Sequence, residues 1–148
     1  MDLSRPLEQD ATIEPLTFES AEGREVYRHS STHIMAQAVK EVFPTAQLTI
    51  GPALDDGFYY DFAFDRPFTP EDLEKIEARA IEIMKRGLTV TRSELSKQDA
   101  IKFFQERGEG YKVELINSFD DASPIALYRQ GEFVDLCRGP HLPTTGYV

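Results

Sequence analysis

Apolar residues between Arg28 and Phe43 recur at helical spacing, and no Gly or Pro interrupts the run before Pro44 stops it. At about 100° per residue, Ile34, Met35, Ala38, Val39, Val42 and Phe43 share one broad face. His29 and His33 lie within about 40° of each other near the opposite side, with Ala36, Gln37 and Lys40. The period then changes. In QLTIGPALDDGFYYDFAF two β-rich runs flank Asp56-Gly57, which predicts a hairpin, and Phe58, Tyr60, Phe62 and Phe64 alternate onto one face of the second run. Thr69-Pro70-Glu71-Asp72 reads as a helix start, with a capping hydroxyl, a first-turn proline and acids where the helix dipole favours them. Leu73, Ile76, Ala80, Ile83 and Met84 keep helical spacing until Gly87. LTVTRSEL predicts a strand, and Ser96 opens a third helix containing Ile101, Phe103 and Phe104 that ends at Gly108. YKVELI, PIALYR and EFVDLC predict three more strands, the last two joined across Gln130-Gly131. Residues 1–22, with Pro6, Pro15 and an acidic run from Glu8 to Asp10, predict an extended tail without a core, so residues 23–148 form the domain. The expected fold class is α+β, an antiparallel sheet of hairpins packed against helices.

Composition narrows the class. A chain of 148 residues suits one domain able to bury its own core, and 41% apolar with 28% charged residues is ordinary for a soluble protein. No apolar run approaches the roughly 20 residues that a membrane helix needs, so no membrane partner is expected. The N-terminus MDLSRPLEQD has neither a secretory nor a transit pattern, and one cysteine cannot form an internal disulfide; both fit the cytoplasm. A net charge of −10 excludes a protein that coats nucleic acid nonspecifically, because such coats need clustered Lys and Arg. Any nucleic-acid contact should be local.

The candidate chemistry sits in two short windows. RHSSTHIMAQAV holds His29 and His33, and CRGPH holds the lone Cys137 and the third histidine, His141. A spacing of i to i+4 on a helix brings two imidazoles to adjacent turns of one face. Gly139-Pro140 forbids a helix in the second window, so Cys137 ends a strand and His141 follows on a tight loop. Alternation along that strand puts Phe133, Asp135 and Cys137 on one side, with Val134 and Leu136 on the other. If the sheet packs under the first helix, the two windows face each other across one cavity.

Three chemistries fit such a cavity. His29, His33, Cys137 and His141 have the composition of a tetrahedral zinc site. Without metal, the histidines could orient and deprotonate a hydrolytic water, with Asp135 holding a substrate amine or an imidazole's second nitrogen. Third, a histidine could activate Cys137 as a nucleophile; this ranks last, because no helix N-terminus is evident behind the thiol.

RHSSTHIMAQAVKEVFP, IGPALDDGFYYDF, RGEGYKVELI and FVDLCRGPHLP together resemble the editing domain of bacterial-type threonyl-tRNA synthetase. The paired HxxxH and CxxxH patterns, without the other stretches, are similar to those of alanyl-tRNA synthetase editing domains. The likeness runs from about Glu25 to Leu142, and the tail resembles the end of the small ubiquitin-like module that precedes this domain. By that likeness the chain is expected to be a fragment, with the editing domain continuing past Val148.

What the resemblance implies is hydrolysis of seryl-tRNA for threonine, by a domain whose partners are the serine-carrying tRNA acceptor end and the rest of a synthetase chain. His29 and His33 would flank the scissile ester and position or deprotonate water, while Lys112 would hold that water or the terminal ribose. Asp135 would recognise the serine amine or hydroxyl. Tyr60, Cys137 and His141 would shape the substrate pocket. No cofactor is expected, since the threonyl branch is thought to work without metal. The alternatives are a zinc-dependent alanyl-type deacylase liganded by His29, His33, Cys137 and His141, a tRNA-end binding module without turnover, and a structural zinc module.

Overall fold

A computed structural model of the chain describes residues 1–148 apart from Ser4, Asp121 and Ala122. In chain order the elements are α1 (Ala21–Val42), β1 (Gln47–Leu48), β2 (Phe62–Ala63), α2 (Pro70–Arg86), β3 (Val90–Leu95), α3 (Lys97–Gln105), α4 (Gly110–Asn117), β4 (Ile125–Gln130), β5 (Phe133–Leu136) and a short 3-10 turn, Thr145–Tyr147. This is the expected α+β class. No helix among the described residues is long and apolar enough to cross a membrane.

The sheet β3-β4-β5 is antiparallel throughout, with Leu127 opposite Leu136 and Tyr128 opposite Asp135. Alternation divides its two faces. Ile125, Leu127, Val134 and Leu136 join Ala100, Phe104 and Ile116 in a core beneath α3 and α4. The other face carries Tyr128, Gln130, Phe133 and Asp135 and meets α1, where Gln130 Nε2 donates to Gln37 Oε1 at 2.8 Å and to His33 O at 3.2 Å. On its far side α1 packs Ile34, Ala38 and Val39 against Ile76 and Ile83 of α2. The histidine side of α1 is therefore buried as deeply as its apolar side, with Ala36 and Gln37 fully covered.

The hairpin forms as expected, although its regular ladder is only Gln47–Ala63 and Leu48–Phe62, continued by an isolated Ala53–Phe58 bridge. Tyr60 stacks on Phe62 with ring centroids 4.9 Å apart and drops its hydroxyl into the interior. α2 starts at the expected Thr69 cap, which the structure extends to a capping box with Thr69 and Asp72 satisfying each other's backbone, and ends at Gly87 in the left-handed region (φ 57°). β4 and β5 turn at Gly131, whose φ of 62° is likewise left-handed.

Three expectations are corrected. α1 begins at Ala21, not Arg28, because Ser20 accepts from Gly23 N and so caps a turn inside the segment expected to be tail. YKVELI is helical, not a strand: it forms most of α4, where Lys112 and Ile116 stand one turn apart on a buried face. Val113 and Ile116 raised the strand propensity, but packing against α3 overrides it, as it does for short apolar runs of ambiguous period. Leu73 keeps its helical spacing but is 56% exposed, so the α2 core stripe starts at Ile76.

α4 is anchored at both ends. Ile116 is fully buried in the α3–α4 core, while Glu109 at the start accepts from Leu48 N at 3.2 Å and pairs with Lys40 Nζ at 2.6 Å. Ile116→Ala is expected to cost about 2–5 kcal/mol in chemical denaturation, and Leu73→Ala less than about 0.5. Equal costs would refute the assignment of the two sides.

Candidate active site

α1 carries His29 and His33 on successive turns, their rings edge to face at 5.4 Å. β5 runs antiparallel to β4 beneath them and delivers Asp135 and then Cys137 to the same side. The chain folds back through Gly139, where φ is 70° and a Cβ would strike the Tyr128 hydroxyl, and through a cis Gly139-Pro140 bond. That reversal sets the His141 ring 4.2 Å from both other imidazoles. One ring nitrogen from each of His29, His33 and His141 and the sulfur of Cys137 fall within 4.8 Å of one another. Cys137 Sγ lies 3.1 Å from His29 Nε2 and 3.1 Å from His141 Nε2, and accepts from Gly139 N at 3.2 Å.

A polar trio adjoins this cluster. Lys112 Nζ lies 2.6 Å from Asp135 Oδ1 and donates to Tyr60 Oη at 2.9 Å, while the Tyr60 hydroxyl donates to Asp135 Oδ2 at 2.8 Å. Asp135 Oδ1 also accepts from Leu136 N at 2.7 Å. Each carboxylate oxygen can accept two bonds, so Oδ2 keeps one free direction, toward His33 Nε2 at 3.7 Å, too far for a direct bond. Asp135 and Lys112 are only 1% and 3% exposed. Six of the seven residues singled out in the sequence, His29, His33, Tyr60, Lys112, Asp135 and Cys137, line a cavity of about 170 Å³ that also borders Thr49 to Pro52 and Arg138, while His141, expected to shape it, stands behind Cys137 without lining it. A larger groove of about 480 Å³ under the N-terminal segment touches only His141 of the seven.

Burial sets the charges. It pushes the His33 pKa down to about 4, with His29 and Lys112 adding to the effect and Asp135 opposing it. His29 and His141 are also held below the ordinary imidazole value, chiefly by burial. The Cys137 thiol is pushed up to about 12 by burial, which removes the thiolate a nucleophile would need. Burial alone would raise the Asp135 carboxyl, but Lys112, His33 and the Tyr60 bond reverse it and keep the group ionised. Near neutral pH the site therefore holds one buried ion pair, three uncharged imidazoles and a protonated thiol.

Three imidazoles and a sulfur fit a tetrahedral zinc by donor type. The two N···S contacts of 3.1 Å are shorter than the roughly 3.5 Å expected between N and S ligands on one zinc, and they are equally tight for hydrogen bonds to sulfur, so the donor set fits zinc and the distances favour neither state.

Further contacts were not foreseen from the sequence. Ser30 reaches His141 Nδ1 at 3.3 Å and accepts from Leu142 N at 2.9 Å. Asp2, in the expected tail, accepts from His141 N at 3.0 Å and from the Tyr128 hydroxyl at 2.6 Å. Ser30 carries a weak local signal, since it follows His29 on the buried side of a helix. Asp2 carries none, because its partners lie 126 and 139 residues away.

Residues 125–148 match the family described as the threonyl and alanyl tRNA synthetase second additional domain. The chain is 58% identical over 147 residues to the threonine–tRNA ligase of Acidithiobacillus ferrooxidans, a match covering 99% of this chain and 23% of that protein. It is 55% identical over 148 residues to the threonine–tRNA ligases of Symbiobacterium thermophilum and Carboxydothermus hydrogenoformans, covering all of this chain and 23% of each. The chain thus spans about a quarter of the length of these relatives.

The lowered imidazole values carry a sign. A histidine held neutral in the fold but free in the unfolded chain makes the unfolded state bind more protons between about 4 and 6.5. The His33 contribution to stability should be complete above pH 6.5 and fall as the pH drops through that window, by up to about 1.4 kcal/mol per pH unit. Denaturant titrations of the wild type and His33→Gln at several pH values should show a shallower slope in the variant. Identical slopes would refute the neutral, buried state of His33.

Proposed function

The chain belongs to the threonyl branch of the synthetase second additional domains, and from that premise we propose that it performs post-transfer editing, hydrolysing the serine ester of mischarged tRNA for threonine. The observation that carries this reading is the convergence of uncharged imidazoles with an ionised Asp135 around a cavity of only about 170 Å³. Serine lacks only a methyl group of threonine, worth about 1–3 kcal/mol, so a synthetic site that reads the hydroxyl cannot exclude it well. A second, smaller pocket can exclude threonine by its extra methyl.

Each side chain has a role in this reading. Asp135 Oδ2, with its unused direction toward His33, receives the serine ammonium or hydroxyl. His29 and His33 flank the ester and position the attacking water, and an uncharged imidazole can accept its proton near neutral pH. Lys112 donates to Tyr60 and Asp135 and has a third N–H for the water or the terminal ribose. Tyr60 and Cys137 wall the cavity, and His141 braces Cys137. The partners are the acceptor end of the tRNA and the remainder of a synthetase chain, in the cytoplasm. The net charge of −10 implies that most phosphate contacts come from that remainder.

The direct test is to incubate seryl-tRNA for threonine with this chain and with a complete relative. Serine release well above the buffer rate is expected, with threonyl-tRNA spared. Binding of tRNA without release by either protein would replace the hydrolase with an acceptor-end binding module. His29→Ala should slow release by a factor on the order of 10² to 10⁴, as for a lost general base, and an unchanged rate would remove His29 from the mechanism.

We further propose that the site works without metal, as the likeness to the threonyl branch implies and as the ionised Asp135 beside the cluster supports. The donor set supports a second reading, in which His29, His33, Cys137 and His141 hold zinc as a Lewis acid. Metal analysis and chelation distinguish them. The metal-free reading expects no equimolar zinc and a rate insensitive to chelator; bound zinc whose removal abolishes release would overturn it, and zinc whose removal unfolds the domain would mark a structural site.

A further inference from the structure

The Ser30 hydroxyl, one residue past His29 on α1, has one hydrogen and three neighbours. Its oxygen lies 2.9 Å from Val26 O, 2.9 Å from Leu142 N and 3.3 Å from His141 Nδ1. Leu142 N can only donate to it. Val26 O can only accept, and at the shorter distance it takes the hydroxyl hydrogen. His141 Nδ1 can then bond Ser30 only as an N–H donor.

The assignment propagates by counting hydrogens. An uncharged imidazole carries one, so Nε2 of His141 faces Cys137 Sγ as a bare lone pair at 3.1 Å. The thiol has one hydrogen, and that contact uses it. His29 Nε2, also 3.1 Å from Sγ, must then approach as an N–H, which leaves Nδ1 of His29 unprotonated. We infer that Ser30 is a positioning residue which fixes the tautomer of His141 and, through the Cys137 thiol, that of His29, so that Nδ1 is the nitrogen of His29 free to accept a proton. The chain of bonds runs Val26, Ser30, His141, Cys137, His29, and it crosses between α1 and the loop after β5 twice. Ser30 is 6% exposed, so water does not compete for its hydroxyl. The inference rests on the metal-free reading throughout, since zinc would displace the thiol hydrogen and occupy ring nitrogens that the bonds use, and on the hydrolase reading only where it names His29 Nδ1 as the accepting atom.

The test is long-range ¹H–¹⁵N correlation spectroscopy on the histidine-labelled chain at neutral pH, with no substrate present. The expected spectrum has His141 protonated on Nδ1 and His29 on Nε2. In Ser30→Ala, His141 should lose its single tautomer and His29 should shift with it, while Ser30→Thr, which keeps the hydroxyl, restores the pattern. In the seryl-tRNA assay Ser30→Ala should lower kcat roughly five- to tenfold, the value of one neutral hydrogen bond, with KM little changed. A wild-type spectrum with His141 protonated on Nε2, or His29 on Nδ1, overturns the inference even if Ser30→Ala does not fold. So does a Ser30→Ala spectrum identical to wild type. A chain that releases no serine but gives the expected spectrum overturns the hydrolase reading and leaves the tautomer assignment intact.

Discussion

The site is organised around one buried ion pair. Asp135 and Lys112 lie almost completely out of water, where an unpaired charge would be costly, and their 2.6 Å contact is completed by the Tyr60 hydroxyl. Three separate parts of the fold have to be in place for it to exist: β5 for Asp135, α4 for Lys112 and the hairpin for Tyr60. Removing one partner would leave the other's charge stranded, so the pair ties formation of the site to formation of the domain. It also fixes the electrostatics: an ionised carboxylate with one free acceptor direction faces imidazoles that burial keeps uncharged.

That separation suits the proposed ester hydrolysis. A site recognising an ammonium group needs a persistent negative charge, and one activating water needs an uncharged base; water between the two would blur both. Here the charge is compensated on one side by Lys112, and the imidazoles are grouped on the other around a protonated thiol. In the proposed reaction the small cavity would do the selecting, by excluding the extra methyl of threonine.

The sequence foreshadowed the site better than the fold. The four-residue spacings, the Gly139-Pro140 reversal and the strand alternation are local rules, and together they brought His29, His33, Asp135, Cys137 and His141 to one face. The Thr69 cap of α2 and the Asp56-Gly57 hairpin were legible for the same reason. α4 was not: YKVELI has β-branched residues and no capping side chain, so only its packing against α3 and the Glu109 link to Lys40 and Leu48 make it a helix. The early start of α1 was hidden because Gly23 weakens the helical pattern, and only the Ser20 cap restores it. Lys112 and Tyr60 came from the family resemblance, and Ser30 and Asp2 from neither, because their partners are more than a hundred residues distant.

The central claim is that this cavity reads serine through Asp135 beside uncharged histidines. The most direct measurement is a crystal structure with a non-hydrolysable analogue in which an amide joins serine to the 3′ position of adenosine. The account predicts the serine ammonium or hydroxyl within about 3 Å of Asp135 Oδ2, and the amide carbonyl beside His29 and His33 with no metal between them. An analogue seated in the groove under the N-terminal segment, or one whose serine end points away from Asp135, would contradict it.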